Sequence, residues 1–110
     1  MSMRIGYEST EPIDDVIIGI QIYDMEGKTL LATNTDWLGA EVPPLSPRGE
    51  ITFHFEGMPL GDGTFPVTIG AVSRDGATVY DWHEQGYQFE VMNPSRSYGL
   101  IYVPSKVSFK

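Results

Sequence analysis

Three kinds of side chain in this sequence could do chemistry: the carboxylates, the two histidines, and the tryptophans and tyrosines. A glycosidase needs only two carboxylates, roughly 5 to 10 Å apart across a cleft, but the local contexts point elsewhere. Asp24, Asp62 and Asp75 lie in glycine-containing turn sequences, where an aspartate side chain bonds nearby backbone amides. Asp14-Asp15 reads as solvated loop charge. His54 and His83 are too far apart in sequence for a local two-histidine metal site, and the aspartate-rich calcium loop with its terminal glutamate is absent. No serine has glycine at both −2 and +2, Gly27-Lys28 lacks the upstream glycine of a phosphate loop, and Gly61-Asp62-Gly63 lacks the third glycine of a dinucleotide fingerprint. The reading is of a non-catalytic chain with no metal site and no cofactor.

The aromatics offer a different chemistry. Trp37 lies in the polar stretch Asn34-Thr35-Asp36-Trp37-Leu38-Gly39, while Tyr23, Tyr80 and Trp82 fall at predicted strand ends. Indole and phenol faces stack on the apolar CH face of a sugar, and amide, hydroxyl and carboxylate neighbours take its hydroxyls. The competing reading places Trp82 and Tyr80 at the sandwich edge, in the core or at a dimer seam, because large aromatics are often mostly buried.

Composition limits the partners. A formal charge of −8 with only seven scattered Lys and Arg repels phosphate backbones and anionic lipid, so no nucleic-acid partner is expected. No apolar run approaches the ~18 residues of a membrane span, and Met1-Ser2-Met3-Arg4 carries no signal-peptide core, so no direct membrane insertion is expected. Without cysteine there are no disulfides or thiolate metal sites, which suits a reducing compartment. Asn93-Pro94-Ser95 approaches a glycosylation sequon, but its proline disables it.

The elements that must position these residues read as strands. At 110 residues the chain fits one domain, residues 1–110, with enough core to fold without staples. Helical periodicity is hard to find, and Gly and Pro punctuate the chain every ten residues or so, as in antiparallel all-β domains. Strands are predicted around 4–7, 16–23, 30–33, 50–55, 65–73, 78–82, 87–92 and 99–103. About eight short strands suit an antiparallel β-sandwich of jelly-roll or immunoglobulin-like type. Period-two phase sends Ile18, Ile20, Ile22, Ile51, Phe53, Phe55, Phe65, Val67, Ile69, Phe89 and Val91 inward. It sends Gln21, Tyr23, Thr52, His54, Thr68, Gln88 and Glu90 outward. The proline-rich stretch 37–48 reads as an extended crossing or rim. Residues 92–110, beyond the Asn93-Pro94 hinge, either pair within their own sheet or exchange with a second copy.

The residues also carry a family resemblance. Glu8-Ser9-Thr10-Glu11-Pro12-Ile13, Ile18-Gly19-Ile20-Gln21-Ile22, Gly27 and Thr33-Asn34-Thr35 occur in that order. They are followed by Gly49-Glu50-Ile51-Thr52-Phe53, Met58-Pro59-Leu60 with Gly63-Thr64-Phe65, Tyr80-Asp81, and Phe89-Glu90-Val91 before Gly99. The whole resembles the C-terminal domain of Wzt-type ATP-binding subunits of bacterial polysaccharide ABC transporters.

The resemblance implies a jelly-roll sandwich that recognises an O-antigen-like polysaccharide, or its terminus, on the cytoplasmic side of the inner membrane before export. It implies a homodimer with an exchanged C-terminal strand, and a nucleotide-binding domain in the parent subunit that hydrolyses ATP, since this chain has no Walker motif. The family's domain usually begins with one more strand, ahead of 4–7, which this sequence does not show; its lack would leave an open sheet edge. The family's recurring residues are architectural, so candidate glycan contacts come from physics: Gln21, Tyr23, His54, Thr68 and Gln88 as outward positions on one sheet, Trp37 at the rim, and Trp82. The rival class of function is a dimerisation or docking module whose aromatics lie in a protein interface.

Overall fold

The computed structural model describes residues 2–9, 13–45, 47–93 and 98–109. Six strands follow in chain order: β1 (Ser2–Glu8), β2 (Ile17–Tyr23), β3 (Thr29–Asn34), β4 (Arg48–His54), β5 (Gly63–Val72) and β6 (Val79–Val91). They form two antiparallel sheets, one of order β3-β2-β5-β6 and one that pairs β1 with β4. The result is an all-β sandwich-like fold, and the described residues contain no helix.

Alternation explains which faces meet. Ile18, Ile20 and Ile22 of β2, Phe65 and Val67 of β5, and Phe53 of β4 are buried together with Val16, Leu45 and Leu60. Ile5, Ile51, Phe55, Ile69, Phe89 and Val91 pack against that cluster, so every residue expected to point inward does so. Burying such side chains is worth about 1.5–3 kcal/mol each, which fixes the register of both sheets, because a one-residue slip would turn the whole set to solvent.

Turn chemistry agrees with the sequence at two hairpins. Asp24 Oδ1 accepts the amides of Glu26 and Lys28 at 2.9 and 2.8 Å, with Gly27 at φ 85°, and closes β2 onto β3. Asp75 Oδ1 accepts the Ser73 hydroxyl at 2.6 Å and the Ala77 amide at 2.9 Å, with Gly76 at φ 75°, and closes β5 onto β6. These bonds, the Ser73 hydroxyl first, hold the Asp75 carboxyl below its ordinary value.

The described residues form fewer strands than the eight expected. The segments expected at 78–82 and 87–92 are one strand, because His83–Gly86 is a bulge and not a turn. Ile69 pairs with His83 and Val67 with Tyr87, so Glu84, Gln85 and Gly86 stand opposite Thr68 alone. Gln85 takes a left-handed backbone with φ 47°, and its amide is accepted by the Thr68 hydroxyl at 2.8 Å in place of a ladder carbonyl. The strand expected at 99–103 is a single bridge, Leu60 to Ile101, flanked by the Gly61 amide on the Leu100 carbonyl at 2.8 Å and the Tyr102 amide on the Pro59 carbonyl at 2.6 Å. Beyond it, Val103, Val107 and Phe109 are exposed, and no strand forms among the described residues of that segment. The expected hinge at Asn93-Pro94 falls partly outside the described residues, which stop at Asn93 and resume at Tyr98.

Candidate functional site

The outer face of the four-stranded sheet holds the densest grouping of predicted site residues. Register places Asn34 beside Gly19, Gly19 beside Gly70, and Gly70 beside Trp82, giving one straight row across β3, β2, β5 and β6. The next row sets Ala32 beside Gln21 and Gln21 beside Thr68. Glycine in the middle of two adjacent strands costs sheet stability and marks a place where something approaches the backbone closely. Here it leaves a trough of about 180 Å³, floored by Gly19, Gly70 and Ala32 and flanked by Trp37 and Trp82.

Each tryptophan is held from its own side. A Cβ on Gly70 would collide with the six-membered ring of Trp82, so glycine there lets the indole lie flat across β5. The β1–β4 sheet uses the same aromatic-over-glycine pairing where Tyr7 lies across Gly49. Trp82 remains 52% exposed.

Trp37 follows β3 in a turn. The Asn34 side-chain oxygen accepts the Trp37 amide at 2.8 Å, and buried Thr35 ties the turn to β2 by accepting the Ile18 amide on its hydroxyl at 3.1 Å. From the β5–β6 hairpin, Arg74 reaches Asp36 at 3.7 Å and Asp15 at 3.9 Å. The Trp37 indole is 73% exposed. Two exposed indoles with fixed backbones, Trp82 lying over Gly70 and Trp37 beyond the open floor at Gly19, can flank a ring with an apolar face, while the amides of Gln21 and Asn34 are placed to meet its hydroxyls. The Gln21 amide nitrogen is already engaged, donating to Thr29 Oγ1 at 2.6 Å.

Four of the seven predicted residues therefore line one trough: Trp37, Gln21, Thr68 and Trp82. Tyr23 lies next along the same face but is buried, at 8% exposure, and its phenolic oxygen accepts the Thr68 hydroxyl at 3.0 Å. Thr68 is 2% exposed, and its hydroxyl donates to Tyr23 and accepts from Gln85. These two hold the bulge and the floor, and offer a ligand little surface.

The expectation that all five outward residues share one sheet is corrected at one of them, His54. His54 is on β4, in the opposite sheet, where its Nδ1 shares a 2.9 Å hydrogen bond with the Ser2 hydroxyl. Strand phase had assigned its face correctly, but phase does not say which sheet a strand joins. Gln88, on β6 opposite Pro66 of β5, is in the expected sheet but lies beyond the bulge, at the cleft edge shared with β1, and does not line the trough.

On the inner side of β6, His83 Nε2 lies 2.9 Å from Asp81 Oδ2, and the His83 ring packs on Tyr87 with centroids 5.8 Å apart. That hydrogen bond is the main cause holding the Asp81 carboxyl below its ordinary value; burial opposes it slightly, and the Trp82 amide, donating to Asp81 Oδ1 at 2.9 Å, adds to it. No group of three His, Asp or Glu among the described residues is arranged to hold a metal ion.

Residues 1–103 match the family model described as the Wzt C-terminal domain. The chain belongs to that family. A solved structure titled "Crystal structure of the C-terminal domain of wzt" superposes with a TM-score of 0.72 at 21% identity, covering 99% of this chain and 68% of that one, which shows the shared fold. No curated protein matches the sequence.

Within this Wzt-type fold, the floor residues Gly19, Ala32 and Gly70, and the amide of Asn34, were not among the predicted contacts. The two interior strand glycines were the signal that could have found them.

Proposed function

We propose that this domain binds polysaccharide in the trough between Trp37 and Trp82, without catalysis, and so lends selectivity to a transporter's ATP-binding subunit. One observation carries the reading: in the row Asn34, Gly19, Gly70, Trp82 the half-exposed Trp82 indole lies over Gly70 and leaves the floor at Gly19 open on the solvent face, with the exposed Trp37 lining the same trough. A sheet face needed only for packing would fill those positions with β-branched residues. Family membership supports the transporter context. In this reading the glycan is an O-antigen-like polymer met on the cytoplasmic side of the inner membrane, and ATP hydrolysis belongs to a separate nucleotide-binding domain.

The working unit in this proposal is a homodimer. Ile101, Val103, Val107 and Phe109 share one parity, and Tyr102, Pro104, Lys106 and Ser108 the other, which is the pattern of a half-buried strand, yet all four apolar members are exposed. Exchange of residues 92–110 with a second copy would cover them, and two glycan sites in one particle would strengthen a weak individual contact. The same exposed segment favours the second reading, a docking module without glycan binding.

Titration of the domain with the source bacterium's surface polysaccharide, read by tryptophan fluorescence and repeated with Trp37→Ala and Trp82→Ala, tests the proposal. Saturable binding that each substitution weakens tenfold or more supports it. Absence of binding by a folded, dimeric protein overturns it in favour of docking.

A further inference from the structure

The trough's charge environment says which sugars it can take. We infer that it accepts uncharged sugar residues and turns away polymers bearing carboxylate or phosphate on the residues it reads; this rests on the polysaccharide reading above.

None of the residues lining the trough is ionisable: its floor is glycine and alanine, its flanks are indole, and its polar groups are the neutral side chains of Gln21, Asn34 and two threonines. An anionic sugar entering it would shed water against apolar carbon and find no cation in return. The nearest carboxylate in sequence to the Trp37 flank is Asp36, which faces Arg74 at 3.7 Å, while Asp81, next to Trp82, turns to the inner side of β6.

The described cations lie elsewhere or are already neutralised. Arg74 faces both Asp15 and Asp36, and its own amide is accepted by Asp15 Oδ1 at 3.1 Å. Arg48 pairs with Glu8 at 3.1 Å in the other sheet, which also carries Arg4. Lys28 occupies the β2–β3 turn with Asp24 and Glu26, and Lys106 is in the C-terminal segment. The chain's net charge of −8 adds a long-range repulsion at low salt. A neutral sugar escapes all of this, because stacking and amide hydrogen bonds act on CH faces and hydroxyls that carry no charge.

The test is an immobilised panel of bacterial polysaccharides containing uncharged polymers and polymers with a uronate or phosphate in every repeat. It is probed with the intact chain at low and high salt, with Gly19→Val as the variant that fills the trough. The expected result is that all trough-dependent binders are uncharged and that their affinity changes less than about twofold with salt, since no ion pair is screened. A uronate- or phosphate-bearing polymer that binds, weakens with salt and is lost in Gly19→Val overturns the inference and leaves the site standing. If no polymer binds, or binding to every polymer is indifferent to Gly19→Val, the site itself falls and the inference falls with it.

Discussion

Gly19→Val separates binding from folding more cleanly than removal of either tryptophan. A Cβ built at Gly19 meets Asn34 Cβ and the Thr33 carbonyl oxygen at 3.6 Å, ordinary contact distance, and Gly19 is not among the glycines with positive φ. The substitution therefore asks nothing of the backbone. Valine in place of glycine in a strand interior is expected to leave stability unchanged or raise it by about 0.5–1 kcal/mol.

The added methyls stand outward, in the middle of the row between Asn34 and Trp82, where the proposed sugar ring would rest. Forcing extra carbon into an occupied, fitted space costs about 1–3 kcal/mol. At about 1.4 kcal/mol per tenfold, that is a loss of roughly 5- to 150-fold in affinity. Gly19→Ala should fall at the lower end. Calorimetric titration gives the affinity, and thermal unfolding monitored by circular dichroism gives the stability. Unchanged affinity in a folded Gly19→Val protein would refute the trough as the site. A large drop in melting temperature would refute the claim that the floor at Gly19 is open.

Gly70→Ala should behave differently, because its Cβ runs into the Trp82 ring: the indole must swing off the floor, so both its fluorescence maximum and the affinity should change, with a stability loss of about 1–3 kcal/mol. Thr68→Val removes a buried hydroxyl that serves Tyr23 and Gln85 at once, and should lower stability by about 1–3 kcal/mol, read as a lower urea midpoint at unchanged slope. Asp75 has a folded-state pKa below 3.8, so its turn contributes stability that is fully present above that value and is lost as pH falls through the lower folded value; Asp75→Asn should flatten the acid limb of the melting temperature below about pH 4. Removing residues 104–110 should convert the proposed dimer to a monomer in sedimentation experiments while the trough still binds glycan more weakly through lost bivalency, and an unchanged oligomeric state would argue against strand exchange.

Core and faces were legible in the sequence because they follow from alternation within a single strand. Ile18, Ile20 and Ile22 declare an inner face without knowledge of the partner strand, and Asp24 and Asp75 declare their turns through short-range bonding. What depended on pairing was not legible. The Gly19–Gly70 juxtaposition joins residues far apart in the sequence and exists only once β2 and β5 are in register. His54 failed for the same reason, since alternation gave its face while sheet membership came from the pairing of β4 with β1. Between 82 and 87 the expected strands left a gap, and the Thr68 hydroxyl, standing in for a ladder acceptor of the Gln85 amide, accompanies β6 through it as one strand.

The bulge and the trough are one construction. Gly70 must be glycine for Trp82 to lie flat, and Trp82 reaches Gly70 only because the two-residue surplus in β6 restores register after Thr68, with His83 on Ile69 and Trp82 on Gly70. An even surplus keeps the faces of β6 in phase, so Trp82 points outward while His83 and Tyr87 stay on the inner side. Deleting Gln85 alone would make the surplus odd, and the sequence on one side of the bulge would have to change face. Trp82 would then turn toward the core, or Phe89 would leave its packing against Phe65, where the rings now lie 5.5 Å apart. Because Phe89 is anchored in the core, the strand segment carrying Trp82 is the one expected to yield. The one-residue deletion should leave a folded domain whose Trp82 fluorescence shifts toward that of a buried indole and whose polysaccharide affinity falls at least as far as in Trp82→Ala. Retained affinity after the deletion would mean that the position of Trp82 on Gly70 does not depend on the bulge.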